Sequence, residues 1–123
     1  MSMYRQEIIE RYRFPRHRSE MKNASVQGEV LNVLCGDELT LYFLFDTTKT
    51  RVENVTFGGT GCALMTAAAD ILCEHLIGKT MEGLNVFLAD DMIKLYGEIP
   101  SPSRLKCVLL PYEALRRALM GLA

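Results

Sequence analysis

Residues 38–58, ELTLYFLFDTTKTRVENVTFG, decide the fold. Leu39, Leu41, Phe43 and Phe45 recur at every second position, the spacing of side chains on one face of a strand. Thr40, Tyr42 and Leu44 alternate with them, so much of the other face is expected to be covered as well. Residues 46–50 form a polar turn, and 51–58 return with Val55 and Phe57 facing in. Two strands joined by a short polar loop make an antiparallel hairpin. Upstream, residues 25–31 read as a further strand, with Val26, Gly28 and Val30 alternating.

Outward from this hairpin the period changes. Gly58-Gly59-Thr60-Gly61 reads as a flexible turn, and a helix is expected from about Cys62, with Ala63, Leu64, Ala67, Ala68, Ile71, Leu72 and Leu76 on its apolar face. Gly78 is a natural helix stop and Thr80 a natural start for the next segment. Residues 81–96 read as one or two helices around Leu84, Val86, Leu88, Ile93 and Leu95. A loop over 97–103 leads to a last helix expected to open near Cys107, with Pro111 in its first turn. At the other end, residues 3–13 read as an amphipathic helix with Tyr4, Ile8, Ile9 and Tyr12 near one side, stopped by Pro15 and followed by an exposed polar loop over 16–24. Strands first and helices afterwards predict an α+β fold, and 123 residues fit a single domain over 1–123.

Charge and hydropathy exclude several classes. Lys and Arg total 14 against 15 Asp and Glu, which lacks the basic excess of a general nucleic-acid binder. Apolar stretches are too short to span a bilayer, and the first twenty residues resemble no secretory signal, so no membrane partner and a cytoplasmic location are expected. Gly78-Lys79-Thr80 matches the end of a phosphate-binding loop, but Cys73 stands where that loop needs a glycine, and a helix precedes it.

The four cysteines carry the chemistry. In a reducing compartment they are not expected to form disulfides, and they lack paired CxxC spacing. Cys35-Gly36-Asp37 reads either as a tight turn around a buried thiol or as a thiolate and a carboxylate turned the same way by glycine. Cys62 at a helix start reads either as a thiolate favoured by the helix dipole or as a small residue packed beneath the turn. Cys107, following Arg104 and Lys106, reads either as a second helix-start thiol beside two cations or as a buried cysteine at a helix start. Cys73 lies eleven positions beyond Cys62, roughly 16 Å along a helix at 1.5 Å per residue, too far to share a metal, and reads as core. His75 fails by the same argument, and His17 reads as a solvated loop residue.

Tyr4-Arg5-Gln6, Tyr12, Pro15-Arg16, Asn32-x-x-Cys35-Gly36-Asp37, Gly59-x-Gly61-Cys62 and Arg104-Leu105-Lys106-Cys107 occur in an order that resembles the IscU/SufU family, related to the N-terminal domain of NifU. The resemblance covers nearly the whole chain. It implies a three-stranded antiparallel sheet packed by helices, of the SufE/NifU-like kind. It also implies that Cys35, Asp37, Cys62 and Cys107 meet at one exposed end and hold a transient [2Fe–2S] cluster, or Zn2+ in the same site. The implied partners are a cysteine desulfurase and apo iron–sulfur acceptor proteins.

Three activities follow from the resemblance. The first is a scaffold that accepts persulfide sulfur and assembles a transferable cluster. The second is a zinc-dependent sulfurtransferase with Cys35 as sulfur acceptor. The third is a structural zinc adaptor. Lys106 stands where IscU-like proteins have His, and is expected to pair with Asp37 or to hold a thiolate ionised. The Leu-Pro-Pro-Val-Lys chaperone motif of IscU-like proteins is replaced by Ile99-Pro-Ser-Pro-Ser-Arg104, so no dedicated chaperone is expected. Lys106 and the N-terminus look SufU-like, yet the 45 positions between Cys62 and Cys107 leave no room for the insertion usual in SufU proteins.

Overall fold

The sheet is built around the quoted hairpin. The computed structural model describes residues 5–32, 36–97 and 99–122. In chain order these form α1 (Arg5–Arg13), β1 (Val26–Asn32), β2 (Asp37–Phe45), β3 (Val52–Thr60), α2 (Ala63–Leu76), α3 (Met81–Asn85), α4 (Ala89–Tyr96) and α5 (Pro102–Met120). The strands make one antiparallel sheet in the order β1-β2-β3, the expected α+β arrangement. Leu39 stands opposite Val30, Leu41 between Gly28 and Phe57, and Phe43 between Val26 and Val55. This register collects Val30, Leu39, Leu41, Phe43, Val55 and Phe57 on one buried face. There α2 and α5 cover the sheet, α1 packs on α2, and α4 packs on α5.

Glycine sets the closest approach in this packing. A Cβ on Gly28 would collide with the Ala114 carbonyl oxygen and come within 2.6 Å of the Ala118 nitrogen, so β1 and α5 touch backbone to backbone.

Several expectations change, each for a local reason. The Gly58-Gly59-Thr60 stretch is not a flexible turn: β3 continues through it, with Gly58 opposite Thr40, Gly59 opposite Leu39 and Thr60 opposite Glu38. Gly59 is needed there because its φ is +120° and the Glu38 carbonyl oxygen fills the space of a Cβ. The segment after α1 is not merely exposed. His17 O accepts from Phe57 N and Ser19 N donates to Phe57 O, both at 2.9 Å, which covers the outer edge of β3.

The helices differ too. The apolar side expected for α1 is only partly its buried side: Ile8 packs against the core, but Ile9 and Tyr12 are exposed and Arg11 is buried. Tyr4 lies outside the described residues. Residues 81–96 form two helices, and the break between them resets the helical phase. Val86 and Leu88 therefore face solvent, while Leu84, Phe87, Met92 and Leu95 enter the core. The last helix opens five residues before Cys107, with Pro102 in its first turn, and Pro111 lies inside it rather than at its start. Having no N–H, Pro111 cannot supply the helical bond to the carbonyl four residues back, that of Cys107.

Local stops follow the sequence. Thr80 Oγ1 accepts from Gly83 N at 3.1 Å and caps α3. Gly78, at φ +88°, follows the end of α2 and donates its N–H to Val52 O, which makes Gly78-Lys79-Thr80 a helix-to-helix turn.

Candidate metal centre

Three elements converge at one end of the sheet. Gly36, at φ +69°, turns the chain into β2, whose first residue is Asp37. Cys62 is the N-cap of α2, with extended backbone angles of −70° and 167°. Its Sγ accepts from Met65 N–H at 3.4 Å, so the thiol sits at the positive end of the helix. Cys107 lies in the second turn of α5, half-buried and packed against the core. One ligand atom from each of Asp37, Cys62 and Cys107 lies within 4.8 Å of the other two.

Their surroundings are unequal. Cys62 is exposed, whereas Asp37 is only 6% exposed and its Oδ2 is buried without a hydrogen-bond partner among the described residues. A buried carboxylate oxygen with no donor is costly unless something satisfies it. Two thiols and such a carboxylate are an appropriate donor set for zinc or iron. The residues present therefore fit a metal ion or a cluster, and Cys62 marks the side from which it would enter.

The other candidates separate from this group. Cys35 lies outside the described residues. Cys73 is fully buried, and burial, helped by the Asp70 charge, pushes its thiol well above the ordinary range, as suits a core residue. His75 packs on the Phe87 ring at 5.4 Å between centroids; burial first, then the Lys79 charge, holds it below the ordinary histidine value. His17 is not a solvated loop residue: its Nε2 lies 3.6 Å from Glu74 Oε1, and its backbone N donates to Asp70 Oδ1. Lys106 is exposed and directly precedes Cys107 in α5. Cys62 stands at a helix start but Cys107 does not, because α5 opens five residues earlier at Pro102.

Sequence reasoning missed Met65. Its place three residues after Cys62, where an N-capped side chain meets the helix, was the available signal.

Fold and site together define a class: an α+β domain that gathers thiol and carboxylate donors from a strand start, a helix cap and a helix flank. The family model of the NifU-like N terminal domain matches residues 3–122, and the chain belongs to that family. Among its relatives, the iron–sulfur cluster assembly scaffold protein IscU 1 of Archaeoglobus fulgidus is 30% identical over 118 residues, covering 96% of this chain and 75% of that protein. The zinc-dependent sulfurtransferase SufU of Bacillus subtilis is 28% identical, covering 94% of this chain and 88% of its own. A crystal structure from Fervidobacterium islandicum AW-1, assigned as a SufU scaffold protein for iron–sulfur cluster assembly in the SUF system, superposes with a TM-score of 0.79. It is 34% identical, with 94% of this chain and 96% of that one covered.

No helix among the described residues is long and apolar enough to cross a membrane.

Proposed function

We propose that this chain is an iron–sulfur cluster assembly scaffold acting as one NifU N-terminal-like domain over residues 1–123. In this reading a cysteine desulfurase supplies the sulfur and apo iron–sulfur proteins take the product. The observation that carries the reading is the cluster of Asp37, Cys62 and Cys107 within 4.8 Å, with the Asp37 oxygen left unsatisfied. Cys35 is proposed as the fourth donor, one residue before the Gly36 turn.

The chemistry follows from the donor types. A thiolate of the site attacks the terminal sulfur of the desulfurase persulfide; the S–S bond breaks, the desulfurase thiolate leaves, and a persulfide forms on the scaffold. No net redox change occurs in that transfer; converting the persulfide sulfur to the sulfide of a cluster takes two electrons per sulfur, supplied by ferrous iron and an external thiol or electron-transfer reductant. The [2Fe–2S] cluster is cargo, so the site must release it. An aspartate oxygen binds iron less firmly than a thiolate, which makes Asp37 the natural point of release.

Zinc-dependent sulfur transfer is the second reading, favoured by the SufU relative and by Lys106 beside Cys107. Bound zinc would supply fixed geometry and ionised thiols without redox chemistry. Asp37, Cys62 and Cys107 would retain it while Cys35 accepts sulfur. A purely structural zinc site would instead unfold on loss of Cys35, because metal binding is then folding energy.

Anaerobic reconstitution with ferrous iron, cysteine, a desulfurase and a thiol reductant tests the proposal. The expected result is a [2Fe–2S] absorption spectrum that transfers to an apo-ferredoxin and is lost in Cys107→Ser. Zinc that stays bound with no chromophore, while the desulfurase turns over faster, would overturn the scaffold in favour of the transferase.

A further inference from the structure

Gly61 lies directly before Cys62, and the space its missing side chain leaves is shared. A Cβ there would stand 2.5 Å from Met65 Cε, 2.6 Å from Met65 Sδ and 3.1 Å from Asp37 Oδ1. The thioether and the carboxylate thus flank one point above the backbone of Gly61. Met65 is only 1% exposed. Its backbone N–H is directed at Cys62 Sγ, so one residue addresses two members of the site, by main chain and by side chain.

A thioether has no hydrogen to donate, and neither does the Cα of Gly61 in any useful strength. They flank Oδ1, and the other oxygen of the same carboxylate, Oδ2, is buried with no hydrogen-bond partner among the described residues. An apolar wall of this kind lowers the local dielectric and leaves the carboxylate charge to whatever cation enters.

We propose that Met65 is a positioning residue of the site: admitted by the absent Cβ of Gly61, its side chain walls Asp37 off from water and from donors and keeps the carboxylate for the metal. This rests on the reading of Asp37, Cys62 and Cys107 as a metal or cluster site.

The test is binding of Co2+ and Zn2+ to the full chain. Affinities are measured by chelator competition, the thiolate-to-Co2+ absorption is recorded, and a thermal melt of each metal-free variant checks folding. Met65→Leu keeps an apolar wall of similar volume and is expected to bind within about threefold of the parent. Met65→Gln places an amide donor beside Asp37 and is expected to weaken binding about 10- to 100-fold. Equal affinity in Met65→Gln and the parent would overturn the role. Equal losses in Met65→Leu and Met65→Gln would make the sulfur itself a ligand and overturn it as well.

If Met65→Gln does not fold, Gly61→Ala decides. It denies the Met65 side chain its place, and Met65→Ala removes the wall outright, so each should weaken binding. Unchanged affinity in both would overturn the proposal. A parent protein that takes up neither Co2+ nor a reconstituted cluster would sink the site reading itself, whereas normal uptake with an indifferent Met65→Gln would sink only the role of Met65.

Discussion

Arg11 Nη1 donates to Asp70 Oδ2 at 2.7 Å, joining α1 to α2 through two side chains that are both withdrawn from water. The same carboxylate accepts His17 N–H at 2.8 Å through Oδ1, and Arg11 Nη2 reaches Glu74 Oε2 at 3.0 Å. One buried carboxylate therefore anchors both the first helix and the segment that covers β3. Charges so placed are costly individually and tolerable only as a set.

Removing one partner should expose that cost. Arg11→Met leaves Asp70 buried without its cation and is expected to lose about 3–5 kcal/mol of folding stability. Arg11→Met combined with Asp70→Leu should recover part of the loss, since the orphan charge is then gone. Urea unfolding of the parent, the two single variants and the double variant measures this, and an additive double variant would contradict the coupling.

Acid should weaken the same junction. Burial alone would raise the Glu74 pKa, but the Arg11 hydrogen bond and charge, followed by the His17 contact, outweigh it and hold the carboxyl below its ordinary value. A folded-state pKa below the unfolded one means that the unfolded chain takes up the proton more readily. The contribution of Glu74 is thus fully present above the ordinary carboxylate range and is lost as pH falls through the depressed value. Melting temperature against pH should decline more gently on the acid side in Glu74→Gln than in the parent.

The contact of β1 with α5 allows no side chain. In Gly28→Ala the added methyl would meet the backbone of Ala114 and Ala118, neither of which is the free end of a flexible group. Overpacking of this kind costs about 1–3 kcal/mol and sometimes more, and with backbone on both sides the upper end is expected. Denaturant midpoints of the two proteins provide the check. Because α5 carries Cys107, metal affinity should fall together with stability.

At the site, ligand type should separate retention from release. Cys107→Ser removes a thiolate and should lower Zn2+ affinity by on the order of 100-fold or more, since soft ligands dominate the donor set. Asp37→Ala removes the weaker donor and should slow transfer of a reconstituted cluster to an apo-ferredoxin. Unchanged transfer in Asp37→Ala would remove the release role. Asp37→Ala should melt no lower than the parent in the metal-free state, because it removes a buried carboxylate oxygen that no described donor satisfies.

Much of this molecule was legible without coordinates. The alternation of Leu39, Leu41 and Phe43 is a local property of the chain, and one buried face was enough to turn it into a strand and a register. The helix starting after Cys62 was equally legible, because small residues followed by an apolar period state both its cap and its face. So was Cys73 as core: helical geometry alone separates it from Cys62.

Tertiary structure decided what local pattern does not carry. Arg11 is buried although it is charged, because Asp70 and Glu74 arrive from a helix about sixty residues away to pair with it. Val86 and Leu88 are exposed although they are apolar, because a break between two helices changed the phase of the face. Cys107 falls inside α5 because Ser101 and Pro102 start the helix earlier than its apolar pattern suggests. The sequence offered Cys35, Asp37, Cys62 and Cys107 as a donor set through the family resemblance of its motifs. Only the packing of α5 and α2 against the sheet set the ligand atoms of Asp37, Cys62 and Cys107 within 4.8 Å and left the Asp37 oxygen unsatisfied, since distances between remote residues follow from how elements pack and not from the residues alone.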